Sequence, residues 1–303
     1  MSLTQNRESG AIPRAQQDAV GRVTADTLLQ MKRAGHAITA LTAYDFPTAR
    51  LVDEAGIDVV LVGDSVGMAV LGYDTTLPVT MEEMLHHTRA VGRGLRHALL
   101  VADMPYGSYQ VSDEEGVRNA IRFMREAGAQ AVKIEGGERR AGLVRRLVEA
   151  EVPVVAHIGL TPQSVHKMSG YRVQGRSSEA IDALLADAAA LEIAGAMAIV
   201  LEGIPREVAR EITAKAGVPT IGIGAGPDCD GQILVFHDLF NLTFSPAAKF
   251  ARRYADGAAF FSEALQRYRE DVVGGTFPSD AESYHLPRAV RDELEQLEEA
   301  CKV

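Results

Sequence analysis

The feature that most restricts the fold is an alternation. Short, β-branched apolar runs recur along most of the chain, separated by longer amphipathic stretches. This is the pattern of βα units laid around a parallel sheet. Strands are read at 37–44, 58–64, 99–105, 131–136, 153–159, 198–203, 219–226 and 234–238. Helical patterns lie between them, such as 81–94, with Thr80 as N-cap and Glu83 three residues on, and 113–127, which stops before Gly128. Eight such units suggest a closed (β/α)8 TIM barrel, and 303 residues hold a barrel of roughly 250 with extensions. The expected division is an N-terminal arm at 1–23, a catalytic barrel at 24–265 and a C-terminal helical extension at 266–303.

Composition narrows the partners. A hydrophobic share of 47% with 24% charged residues belongs to an ordinary folded protein. Apolar runs such as Val59-Val60-Leu61-Val62 fall far short of the roughly 20 residues that cross a bilayer. A formal charge of −10 and a pI near 5.3 disfavour nucleic acid and anionic lipid, which need clustered Lys and Arg. Small-molecule partners fit better. With only Cys229 and Cys301, the chain has neither a disulfide framework nor a thiolate metal site, which suits a reducing compartment. The N-terminus mixes Arg with Asp and Glu, lacks the apolar core of a signal peptide, and is read as a flexible arm.

A local repeat points to chemistry. Residues 127–136 align with 194–203, an offset of 194 − 127 = 67, and each has Ala-Gly, an apolar strand and then a Glu. Packing alone explains the Ala-Gly, but not the acid. A carboxylate at the end of a strand buried on both faces is costly unless it is paired or binds a metal, and barrel enzymes build their sites at the C-terminal strand ends. Here successive strands deliver Asp64-Ser65, Asp103, Lys133 with Glu135, His157 and Glu202 to one rim. Lys133 and Glu135, two apart, share a face. Any one acid could merely cap a helix or pair with an Arg. Four together, with no Cys and few His beside them, form a hard-oxygen set that suits Mg²⁺ or a similar divalent ion better than structural Zn²⁺.

Other features carry less. Gly222-Ile223-Gly224-Ala225-Gly226 could cradle a phosphate, but lacks a GxGxxG spacing and reads better as a tight turn at the barrel mouth. His86-His87 reads as surface or packing, and His157 as either catalytic or an orienter of a neighbouring carboxylate. The long connection 159–176 carries Lys167, Arg172 and Arg176 and is expected to help receive an anionic cosubstrate.

Taken in order, Gly63-Asp64-Ser65-Val66-Gly67, Ala102-Asp103-Met104-Pro105, Val132-Lys133-Ile134-Glu135-Gly136, the segment His157 to Ser164, Leu201-Glu202, Ile221 to Gly226 and Asp230 to Asp238 resemble the ketopantoate hydroxymethyltransferase family. The resemblance runs from about Thr24 to Leu265 and leaves out the arm and the acidic tail. It implies Mg²⁺-dependent transfer of a hydroxymethyl group from 5,10-methylenetetrahydrofolate to 3-methyl-2-oxobutanoate, giving 2-dehydropantoate for pantothenate and coenzyme A synthesis. By matching motifs it places one Mg²⁺ per subunit on Asp64, Asp103 and Glu135, the oxo acid on Asp64, Ser65, Asp103 and Lys133, and the proton acceptor at Glu202. It also implies a cytoplasmic homodecamer, a dimer of pentamers. The metal would stabilise the enolate left when C3 loses its proton, and Glu202 is the acid outside the metal set. Two other readings stand beside it. A lyase of the isocitrate lyase and phosphoenolpyruvate mutase type would need a Lys-Lys-Cys-Gly-His loop that this chain lacks, and a non-catalytic 2-oxo acid sensor would have no use for Glu202.

Overall fold

The computed structural model describes residues 21–244 and 248–300, so most of the expected N-terminal arm lies outside the described residues. Eight parallel strands close into a barrel in sequence order: β1 (Ile38–Thr42), β2 (Val59–Val62), β3 (Leu99–Asp103), β4 (Ala131–Glu135), β5 (Val154–Gly159), β6 (Ala198–Glu202), β7 (Thr220–Ile223) and β8 (Gly231–Leu234). Helices α1 (Ala25–Ala34), α2 (Phe46–Glu54), α3 (Val66–Ala69), α4 (Met81–Gly94), α5 (Asp113–Ala127), α6 (Ala141–Glu149), α7 (Ser178–Ile193), α8 (Arg206–Lys215) and α9 (Phe236–Leu239) accompany them. The (β/α)8 expectation holds.

Strand alternation sorts the core into two sets. Val60, Val62, Leu100, Val132, Ile134, Ile199 and Leu201 face the helices, whereas Val59, Leu61, Val101, Ala131, Val155, Ala198 and Val200 fill the barrel. Leu28 of α1 joins the inner set, so α1 plugs the floor. Local chemistry agrees with this layout. Thr80 and Glu83 form the expected reciprocal cap of α4, with Glu83 N–H donating to Thr80 Oγ1 at 3.2 Å and Thr80 N–H to Glu83 Oε2 at 2.7 Å. Asp53 accepts the backbone N–H groups of Arg96, His97 and Ala98 at 3.0, 3.0 and 2.8 Å, which ties α2 to the entry of β3.

The last strand departs from expectation. It runs Gly231–Leu234 rather than 234–238, and the chain then turns into α9. A Cβ at Gly231 would lie 2.5 Å from the Ile38 carbonyl oxygen, so glycine is what lets β8 lie against β1.

The chain divides into two compact units, Met1–Tyr254 and Ala255–Val303. Within the second, α10 (Gly257–Gly274) is capped by Asp256 and ended by Gly275 at φ 70°, and α11 (Arg288–Ala300) follows. Among the described residues no helix is long and apolar enough to cross a membrane.

Candidate active site

Register assembles the site. Asp103 on β3 lies beside Lys133 on β4, and Glu135 lies beside His157 on β5. All four side chains extend the inward phase of their strands, so they emerge together at the barrel's C-terminal mouth. Lys133 Nζ sits 2.8 Å from Asp103 Oδ1, 4.0 Å from Glu135 Oε1 and 3.3 Å from His157 Nδ1. Asp64 lies in the turn after β2, and its backbone N–H donates to Asp103 Oδ2 at 3.2 Å. Ser65 Oγ is 2.8 Å from the Tyr44 hydroxyl. Glu202, at the end of β6, approaches His157 Nε2 at 3.2 Å through its Oε2. The sequence-predicted residues therefore converge on one mouth, with Glu202 held apart from Lys133 by His157.

Gln163, which the sequence reading did not single out, ties the cluster together. Its amide donates to Asp64 Oδ2 and to the Met104 carbonyl, each at 2.9 Å, and its backbone N–H donates to Glu135 Oε2 at 3.0 Å. The Tyr109 hydroxyl donates to Gln163 Oε1 at 2.7 Å and accepts from the Glu135 N–H at 3.0 Å. One oxygen each of Asp64 and Glu135 is thereby engaged. Asp103 Oδ1 and Glu135 Oε1 are buried and meet only cationic neighbours, Lys133 Nζ at 2.8 Å and His157 Nδ1 at 3.4 Å respectively.

The charges follow from this enclosure. Burial, with repulsion from Asp103 and Glu135, holds the Asp64 carboxyl well above the usual range. Burial also raises Asp103, against the pull of Lys133. Glu135 goes the other way: burial would raise it, but its contacts with His157 and the charge of Lys133 together lower it. At His157, burial and Lys133 act downward, and Glu135 and Glu202 outweigh them to bring it up to about 9. The Lys133 ammonium is desolvated, yet Asp103, Glu135 and Asp64 raise its pKa.

The donor set fits a hard divalent cation. Asp64, Asp103 and Glu135 offer carboxylate oxygens, and burial, reinforced by repulsion among these acids, holds Asp64 and Asp103 above the usual carboxylate range. Among the described residues no three His, Cys, Asp or Glu side chains form a ready metal cage.

Above the cluster opens a cavity of about 390 Å³, lined by Asp64, Ser65, Asp103, Lys133, Glu135, His157 and Glu202, and also by Tyr171, Asp238 and Phe250. Tyr171 belongs to the long connection after β5, whose Lys167, Arg172 and Arg176 are exposed. His86 is exposed and His87 Nδ1 meets the Tyr44 carbonyl at 2.6 Å, a packing role. The glycines after β7 serve close approach: Gly224 has φ 62°, and a Cβ there would lie 2.6 Å from the Phe250 ring.

Comparison with known proteins decides the family. The family model described as ketopantoate hydroxymethyltransferase matches residues 22–280. The chain belongs to the ketopantoate hydroxymethyltransferase family. A 3-methyl-2-oxobutanoate hydroxymethyltransferase of Koribacter versatilis is 63% identical over 281 residues, covering 93% of this chain and 95% of that one. Its counterpart in Pelobacter propionicus is 53% identical, covering 87% and 98%. Solved structures share the architecture at lower identity. A 2,3-dimethylmalate lyase of the PEP mutase/isocitrate lyase superfamily matches with TM-score 0.54 at 19% identity, over 92% of this chain and 96% of that one. A phosphonopyruvate hydrolase matches with TM-score 0.55 at 17% identity, over 91% and 96%. The lyase reading weighed from sequence thus shares the barrel, while both relatives named above are hydroxymethyltransferases.

Proposed function

We propose that the protein transfers a hydroxymethyl group from 5,10-methylenetetrahydrofolate to 3-methyl-2-oxobutanoate, forming 2-dehydropantoate, with one Mg²⁺ per subunit. The observation that carries this reading is the separation of Glu202 from the other acids. Asp103 and Glu135 side chains are each 2% exposed and lie within reach of Lys133, whereas Glu202 is 15% exposed, contacts His157 and lines the cavity. A carboxylate with that freedom suits a general base.

Asp64, Asp103 and Glu135 would hold the ion, which when bound supplies Lewis-acid polarisation of the 2-oxo group. Lys133 balances the substrate carboxylate, while Ser65, Asp64 and Asp103 orient the oxo acid. Glu202 then takes the C3 proton. His157, charged between Glu135 and Glu202, holds the base in place. Water opens the donor's methylene bridge, releasing tetrahydrofolate and the one-carbon unit at the oxidation level of formaldehyde; the enolate carbon attacks that carbonyl carbon, and its oxygen takes up a proton to become the hydroxymethyl group. The exposed Lys167, Arg172 and Arg176 would meet the acidic tail of the folate outside the cavity.

The test is 2-dehydropantoate formation with and without Mg²⁺ and methylenetetrahydrofolate. Product formed independently of both would overturn the reading. The cytoplasmic homodecamer implied by the resemblance is checked separately, by light scattering of the purified protein.

A further inference from the structure

The cavity has two chemically different halves. Strands β2 to β6 supply every ionisable group of the catalytic cluster. The half built by β7, β8, β1 and the segment that follows β8 is walled by Ile223, Ile233, Leu234, Val235 and Phe250. Among the described lining residues of that half, Asp238 is the one carboxylate. Thr243 Oγ1 donates to Asp238 Oδ1 at 2.7 Å, which fixes the side chain. The positive φ of Gly224 lets the Phe250 ring close over this side.

A five-carbon oxo acid needs only the charged half. The whole cavity, at about 390 Å³, falls in the range that receives a larger organic ligand (roughly 300–1,000 Å³). An apolar wall with a single anchored carboxylate repels the substrate's own carboxylate and selects a flat ring with N–H groups on one edge.

From this division we propose that the apolar half is the subsite for the donor's pterin ring, with Asp238 accepting the neighbouring N–H groups of its 2-amino-4-oxopyrimidine edge and Val235, Ile223 and Phe250 packing on its faces. This rests on the folate-donor reading above and says where in the cavity that donor is read. Register supports the arrangement, since Glu202 on β6 pairs with Ile223 on β7. The base therefore stands at the seam between the halves, where the carbon that loses its proton must meet the one-carbon unit.

The experiment compares wild type with Asp238→Asn, which keeps an acceptor for Thr243, and with Phe250→Ala. Three quantities are measured: KM for methylenetetrahydrofolate, KM for 3-methyl-2-oxobutanoate, and exchange of the C3 proton into deuterated water without folate. A subsite for the ring predicts that both variants raise the folate KM about tenfold or more, Asp238→Asn through the loss of hydrogen bonds to a charged group and Phe250→Ala through the loss of apolar packing, while the oxo acid KM and the exchange rate stay within about twofold. An unchanged folate KM in both variants overturns the proposal, as does an equal rise in both KM values. If wild-type protein exchanges the proton but transfers nothing from methylenetetrahydrofolate, the donor reading fails instead. Calorimetric titration with tetrahydrofolate alone separates binding from turnover, and equal affinity for wild type and Asp238→Asn would count against the subsite.

Discussion

Replacing Gln163 with Leu keeps most of the side-chain volume and the backbone N–H to Glu135, but deletes the amide. Four contacts go with it: those to Asp64 Oδ2 and the Met104 carbonyl at 2.9 Å, and those from Tyr109 at 2.7 Å and Gln110 at 3.1 Å. Two effects follow, with different magnitudes. Each buried donor or acceptor left unpaired costs about 1–3 kcal/mol, so the Tyr109 O–H, whose oxygen still accepts from the Glu135 N–H, and the Met104 carbonyl together lower stability by roughly 2–6 kcal/mol. Freed from the amide, Asp64 no longer presents a fixed oxygen to a cation. Groups that orient metal ligands in this way are worth 10- to 100-fold in affinity, or about 1.4–2.7 kcal/mol. Calorimetric titration with Mg²⁺ and Mn²⁺, beside urea unfolding of the same preparations, separates the two. We expect metal Kd to rise by at least about tenfold. A Kd unchanged within threefold, alongside lost stability, would refute the reasoning and leave Gln163 a packing residue.

Glu202→Gln should slow C3 proton exchange by about 10²-fold or more while binding of 3-methyl-2-oxobutanoate persists, and exchange at the wild-type rate would refute the base assignment. Asp53→Ala strips three amides of their acceptor and should cost about 3–9 kcal/mol in urea unfolding, with kcat unchanged in the absence of denaturant. Thr80→Ala should cost about 1 kcal/mol as a lost cap. Its partner Glu83 has a depressed pKa, chiefly through the Thr80 N–H, so its ionised form adds stability that is complete above the unfolded carboxylate value and is lost as pH falls through the folded one. The stability gap between wild type and Glu83→Gln should therefore close in acid, as thermal melts at stepped pH would record. Gly231→Ala forces β8 away from β1 and should lower Tm by an amount corresponding to about 1–3 kcal/mol.

Much of the site was legible because parallel strands leave few options. The two-residue phase that puts Lys133 and Glu135 on one face is a property of any strand, and the Thr80 and Glu83 pattern states its own hydrogen bonds. Gln163 was hidden for a different reason. It meets Asp64 across 99 residues and Tyr109 across 54, and nothing local marks an amide in a 3-10 turn as the link between two acids. The misplaced eighth strand shows the same limit. Gly231 reads as a breaker until the Ile38 carbonyl is seen beside it, and moving the strand forward hid Asp238 inside a supposed strand rather than on α9 at the cavity rim.

The seam between β1 and β8 has a consequence for synthesis. Every other strand pair joins consecutive strands, but this one brings Ile38 to Gly231, and the Phe236 N–H reaches Thr42 Oγ1 across 194 residues. While the chain is being made, β2 to β6 and their ionisable cluster can line up on an open sheet before β8 exists. Such an intermediate has two unpaired edges, β1 and β7, which invite pairing with another nascent chain until the ring shuts. Chains cut short before Gly231 should therefore keep Asp64, Asp103, Glu135 and Glu202 and still accumulate as aggregates.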